Sequence, residues 1–210
     1  MTHAAEPARR RPVVVVTLAV GCTLLGLSLA TAPGDGLFYP LLLAVAAVWI
    51  GGALASGPVP FRPRAGDGPV RWARPVALGL LAAGVFLVGG LVVHEIEPLR
   101  EFAANALDHE RRGNTVLVAL LTLANAVGEE VFFRGALFAA VGPRRRLLIT
   151  TAVYVAATTA TGNPLLVFAA VLMGSLFGWQ RELSGGVVDP MLTHLTWSLV
   201  MLTALPSIIG

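Results

Sequence analysis

Long apolar blocks follow one another along this chain, each of about 15 to 28 residues and each closed by proline, glycine or arginine. A helix of that length reaches across the hydrocarbon of a bilayer, where every backbone N–H and C=O has to be satisfied within the segment itself. This leaves one fold class open: an all-α, multi-pass transmembrane helical bundle. Composition agrees with the pattern. Over 210 residues the chain is 56% hydrophobic and 13% charged, with a mean hydropathy of +0.77, and such a chain cannot coat a water-soluble domain with polar groups.

The blocks give about seven spans, over 13–32, 37–56, 76–93, 115–141, 147–161, 164–179 and from about 187 or 190 to 209. The first run follows a polar, basic tail over 1–12. It is longer than the apolar core of a cleaved leader, and Pro33 follows the small-residue triplet Ala30-Thr31-Ala32, so a retained span is expected. Between 94 and 112 the character changes. Glu95, Glu97, Glu101, Asp108 and Glu110 alternate with Arg100, Arg111 and Arg112, while Leu99, Phe102, Ala103 and Ala106 recur at helical spacing. A helix lying on the membrane surface near 95–111 is expected. The chain thus divides into a tail (1–12), a lead-in of three spans and the surface helix (13–113), and a C-terminal core (114–210).

All 15 basic residues are arginines, and they sit mostly in short segments between apolar blocks, which reads as a topology signal and excludes a nucleic-acid surface. With the N-terminus inside, Arg9, Arg10, Arg11, Arg62, Arg64, Arg71, Arg74, Arg144, Arg145, Arg146 and Arg181 fall on the inner face, eleven against three outside. A plasma-membrane protein with a cytoplasmic N-terminus and an outer C-terminus is expected. Arginine in place of lysine, with abundant alanine, glycine and valine, points to a GC-rich bacterial source. Cys22, the single cysteine, lies within an apolar block and offers neither a disulfide nor a thiolate metal site.

Three charges stand inside the 115–141 block, about fifteen residues from its start: Glu129, Glu130 and Arg134. Each ionised group costs roughly 2.5 to 3.5 kcal/mol at the centre of a spanning helix, so a function or a partner has to offset it. Glu130 and Arg134 are four apart and share a face, which pairs them; Glu129 points about 100° away, on the side of Asn125 and Phe133. One carboxylate is left over, available as a general base. Of the four histidines, His194 alone is expected within an apolar span, with Ser198 one turn on along the same face. An acid that takes a proton from water and a histidine that polarises a carbonyl make a minimal hydrolytic site.

The string Glu129-Glu130-Val131-Phe132-Phe133-Arg134-Gly135 resembles the EExxxR motif of the CAAX-processing and bacteriocin-processing (CPBP, or Abi) family of intramembrane proteases, also known as CAAX prenyl protease 2. The similarity continues through Gly174 to Trp179, the Ser184-Gly185-Gly186 turn, and His194xxxSer198, which looks like the family's HxxxN motif. It covers roughly 114–205. The resemblance implies that Glu129 activates water, that Glu130 and Arg134 support it, and that His194 with Ser198 meets the carbonyl or oxyanion. Two positions depart from the pattern. The family's FxxxH motif falls on Tyr154-Val155-Ala156-Ala157-Thr158, with Thr158 where the second histidine stands, and Ser198 replaces asparagine. One histidine and one free glutamate fall short of the three protein ligands of a catalytic zinc site, so no metal or other cofactor is expected.

The expected activity is therefore hydrolysis of a peptide bond in a membrane-associated protein or peptide by glutamate-activated water. The alternative is a catalytically inactive relative that holds partner proteins in the bilayer. A third reading, a proton-linked carrier relaying through Glu129 and His194, lacks other intramembrane polar groups to line a path.

Overall fold

The computed structural model describes residues 7–62 and 70–210. The start of the basic tail, with His3, and Arg64 in the following loop lie outside the described residues. Among the described residues the chain is helical throughout, with turns and short extended links but no strand. The helices are α1 (Pro7–Leu29), α2 (Phe38–Ser56), α3 (Val70–Glu95), α4 (Glu97–Arg112), and α5 (Thr115–Glu129), which runs on without a break as a π-helix (Glu130–Leu137) and a last turn, α6 (Phe138–Ala140). Then come α7 (Arg146–Thr158) with a closing 3₁₀ turn (Thr159–Thr161), α8 (Pro164–Ser184), α9 (Val188–Ala204) and the short α10 (Pro206–Ile209).

Six of these stretches are long and apolar enough to cross a membrane: Arg10–Leu29, Phe38–Ser56, Arg71–Glu95, Thr115–Ala140, Pro164–Ser184 and Val188–Ile209. The protein is a multi-pass helical bundle. The segment expected as a further span, 147–161, is shorter: α7 and its 3₁₀ turn together measure about 25 Å against a hydrocarbon core of about 30 Å. It stops early because Gly162 adopts a left-handed conformation (φ 67°) and Asn163 caps α8 by accepting from the N–H groups of Leu165 and Leu166.

Three expected boundaries move. The helix α3 starts at Val70, with Pro75 inside it, and Pro12 is likewise inside α1. Each proline lies in the second turn, where its missing N–H costs one bond at the frayed end of the helix. The helix α8 runs on to Ser184, so Arg181 belongs to a buried helical turn and is no loop charge. In α4 the buried stripe is Ala103 and Leu107, packed with Ile209 and against Leu165, Leu205 and Val93; Phe102 and Ala106 face outward.

Close helix contacts rest on small residues, the usual device where lipid and side chain are equally apolar. A side chain at Gly21 would overlap the Trp49 ring, and one at Gly79 would lie 2.7 Å from the Thr193 carbonyl oxygen. The core that results is centred on the π-helix. Trp49 of α2 packs on Phe132 and Phe133 with ring centroids 4.7 and 5.2 Å away, joined by Val14, Val45 and Ala157. Every residue of the π-helix is buried.

Candidate active site

Glu129 closes α5 and Glu130 opens the π-helix, so the two adjacent acids straddle a change in backbone winding. Wider winding of this kind is rare and concentrates at functional sites. Here its C-terminal half is held from outside the helix: Arg181 Nε of α8 donates to the Arg134 carbonyl at 2.7 Å, with its guanidinium over the Phe138 ring.

Glu130 is 0% exposed, with one carboxylate oxygen engaged twice and the other, Oε2, buried without a hydrogen-bond partner among the described residues. Its Oε1 accepts from Arg134 Nη1 at 3.1 Å and lies 2.9 Å from His194 Nδ1. The Arg134 guanidinium also donates to the Gly174 carbonyl at 3.2 Å and lies over the rings of Tyr154 and Phe177, 4.4 and 5.1 Å from their centroids. His194 stacks on Phe177 at 4.6 Å. A carboxylate buried between two nitrogen donors fixes both of them. It orients the imidazole through Nδ1, leaving Nε2 as the nitrogen not engaged with Glu130.

Glu129 faces the other way, into a cavity of about 240 Å³ enclosed by α1, α2, α5, α7, α8 and α9. Tyr154, Thr158, His194 and Ser198 line the same cavity, with Asn125, Thr122 and Trp197; the remaining wall is largely apolar, built from Leu25, Leu29, Leu42, Leu166 and Met173. The site residues singled out from sequence thus gather in one place: Glu129, Thr158, His194 and Ser198 at the cavity surface, and Glu130 and Arg134 directly behind His194. Glu129 is not without a partner as expected, because Tyr154 Oη donates to its Oε2 at 2.8 Å. The Thr158 hydroxyl is turned away from chemistry, donating to the Tyr154 carbonyl one turn back at 2.9 Å.

Sequence reasoning passed over Tyr154 and gave Asn125 no role. Asn125 is buried, and its amide nitrogen donates to the carbonyls of Leu42 and Leu121, both at 2.9 Å, tying α5 to α2 beside the cavity. A signal for both exists in the spacing. Thr122, Asn125 and Glu129 make one polar stripe along α5, and Thr151, Tyr154, Thr158 and Thr161 make a second along α7 and its 3₁₀ turn, each at intervals of three or four. Also unforeseen is a chain linking three helices: Gln180 Nε2 donates to Thr193 Oγ1 at 2.7 Å, which donates to the Pro75 carbonyl at 2.9 Å. Among the described residues, no three His, Cys, Asp or Glu side chains come together as metal ligands.

Residues 111–200 match the family described as type II CAAX prenyl endopeptidase, Rce1-like. No curated protein and no solved structure matches the chain.

Proposed function

We propose that this membrane protein, whose residues 111–200 match the family described as type II CAAX prenyl endopeptidase, Rce1-like, hydrolyses a peptide bond of a membrane-associated protein or peptide, with water activated by Glu129. The observation that carries the reading is the division of labour between adjacent acids. Glu130 is consumed by Arg134 and His194, while Glu129 opens onto the cavity with one oxygen held by Tyr154.

In the reaction, Glu129 takes a proton from water as the water oxygen bonds to the scissile carbonyl carbon, and the carbonyl electron pair moves onto oxygen. His194, its Nδ1 on Glu130, presents Nε2 to that oxyanion, and the Ser198 hydroxyl donates beside it. The intermediate collapses by breaking the C–N bond, and the proton on Glu129 passes to the departing amine. Base and acid are the same group, so proton count and charge balance over the cycle. The wall of leucines limits water to what the reaction needs and accepts an extended apolar segment.

The test is membrane peptidomics in the native host, comparing wild type with Glu129→Gln and His194→Ala alongside a fold check of each purified variant. Cleavage products falling at least 100-fold in both folded variants are expected, the scale of a lost general base. Product profiles indistinguishable from wild type would remove the reading. They would favour the inactive holding protein, which one observation supports: the Thr158 hydroxyl is spent on a backbone carbonyl.

A further inference from the structure

Among the described residues, the phenol of Tyr154 donates a hydrogen bond to the proposed water-activating carboxylate, and nothing in the reaction as written uses it. Its geometry is determined on every side. The hydroxyl donates to Glu129 Oε2 at 2.8 Å, the ring carries the Arg134 guanidinium 4.4 Å from its centroid, and Phe133 meets it edge-on with centroids 4.9 Å apart. A side chain clamped in this way has a single rotamer, so the hydrogen bond also fixes the carboxylate it reaches. The residue one turn further, Thr158, lines the same cavity but gives its hydroxyl to the Tyr154 carbonyl. In the resembled FxxxH pattern these two positions carry a phenylalanine and a histidine. Here position 154 carries a tyrosine whose hydroxyl meets Glu129, and position 158 a threonine whose hydroxyl does not.

We propose that Tyr154 is the positioning residue of this site: its phenol holds Glu129 Oε2, leaving Oε1 as the proton acceptor, and so supplies the partner for Glu129 that position 158 no longer provides. The inference rests on the hydrolytic reading above. Arg134 then has two tasks, neutralising Glu130 and bracing the ring that orients Glu129, which couples the two acids without their touching. Because the phenol acts on the base and Tyr154→Phe keeps the ring in its place in the cavity wall, loss of the hydroxyl affects turnover more than substrate affinity.

Tyr154→Phe keeps the ring, its stacking under Arg134 and its volume, and removes a single hydroxyl. We expect the rate of product formation at saturating substrate, followed in native-host membranes, to fall about 10- to 100-fold, the equivalent of one hydrogen bond to a charged group, with half-saturation unchanged. Adding Thr158→His to Tyr154→Phe restores the resembled pattern and recovers at least tenfold of the loss. Tyr39→Phe, at the other of the two tyrosines, stays at the wild-type rate. A readout free of substrate comes from ultraviolet resonance Raman of the Tyr39→Phe protein, in which Tyr154 is the single tyrosine. Its ring doublet carries the signature of a strong donor and loses it in Glu129→Leu. An inactive Glu129→Gln beside a Tyr154→Phe at the wild-type rate overturns this inference alone, as does absence of rescue by Thr158→His or a doublet indifferent to residue 129. A fully active Glu129→Gln overturns the hydrolytic reading and this inference with it.

Discussion

Glu130, fully buried beside Arg134 and His194, shows how little a residue-level rule can tolerate in this interior. Removing one member of a buried pair leaves a charge with no partner. We expect Arg134→Leu to cost about 3 to 5 kcal/mol, read as a lower unfolding midpoint in detergent. Combining it with Glu130→Leu should recover part of that stability, because neither member of the pair is left buried without the other, while on the proposed hydrolytic reading cleavage stays lost because His194 no longer has Glu130 to orient it. At this scale Glu129, Glu130 and Arg134 were legible in the sequence, since charges in an apolar block stand out against their background. The polar stripes that carry Tyr154 and Asn125 are visible in the spacing, but the partners of the phenol and the amide are not, since the facing helix decides what each meets.

Elements are set by their ends. Asn163 caps α8 through Leu165 and Leu166 and, with its amide nitrogen, donates to the Phe102 carbonyl of α4 at 2.7 Å. One side chain therefore starts a spanning helix and fastens the surface helix to it. Asn163→Ala is expected to cost about 1 to 2 kcal/mol from the cap alone and to loosen α4, seen as faster hydrogen exchange over 97–112 than over the bundle. The helix α4 packs on Leu165, next to Leu166 in the cavity wall, so it lies close enough to govern entry. Ala106→Pro adds roughly 3 kcal/mol of helix disruption on an outward-facing position. Slower cleavage is expected if α4 gates the site, and unchanged cleavage by the folded variant removes that role. Periodicity located the helices but misplaced α3 and α8 by several residues. Pro75 marks a boundary by sequence pattern but is a tolerated second-turn residue of α3, and Arg181 reads as a loop charge but donates to a backbone carbonyl within the bundle.

Across the whole molecule, α3 joins the cavity-lining helices α8 and α9 through Gly79 against Thr193 and through the Gln180, Thr193 and Pro75 chain. Gly79→Leu should separate α3 from α9, since the added atoms meet backbone as well as side chain, and we expect loss of the folded protein and not a mild shift in its midpoint. The arginine count predicts an orientation with the N-terminus inside. In a Cys22→Ser background, a cysteine at Gly142 should react with a membrane-impermeant maleimide only in opened cells, and one at Asp35 in intact cells. The reverse pattern would invert the assignment.

The apolar solvent, the helical class, the existence of a charged cluster and the face shared by Glu130 and Arg134 are already fixed by apolar length and the helical repeat, which are local properties. The rewinding of the helix as a π-helix at Glu130, the turn of His194 to Glu130 and of Tyr154 to Glu129, and the tie of Asn125 from α5 to α2 emerge with the packed bundle. Each of these depends on which helices become neighbours. In the apolar interior, that neighbourhood alone supplies the hydrogen-bond partners that a buried polar group requires.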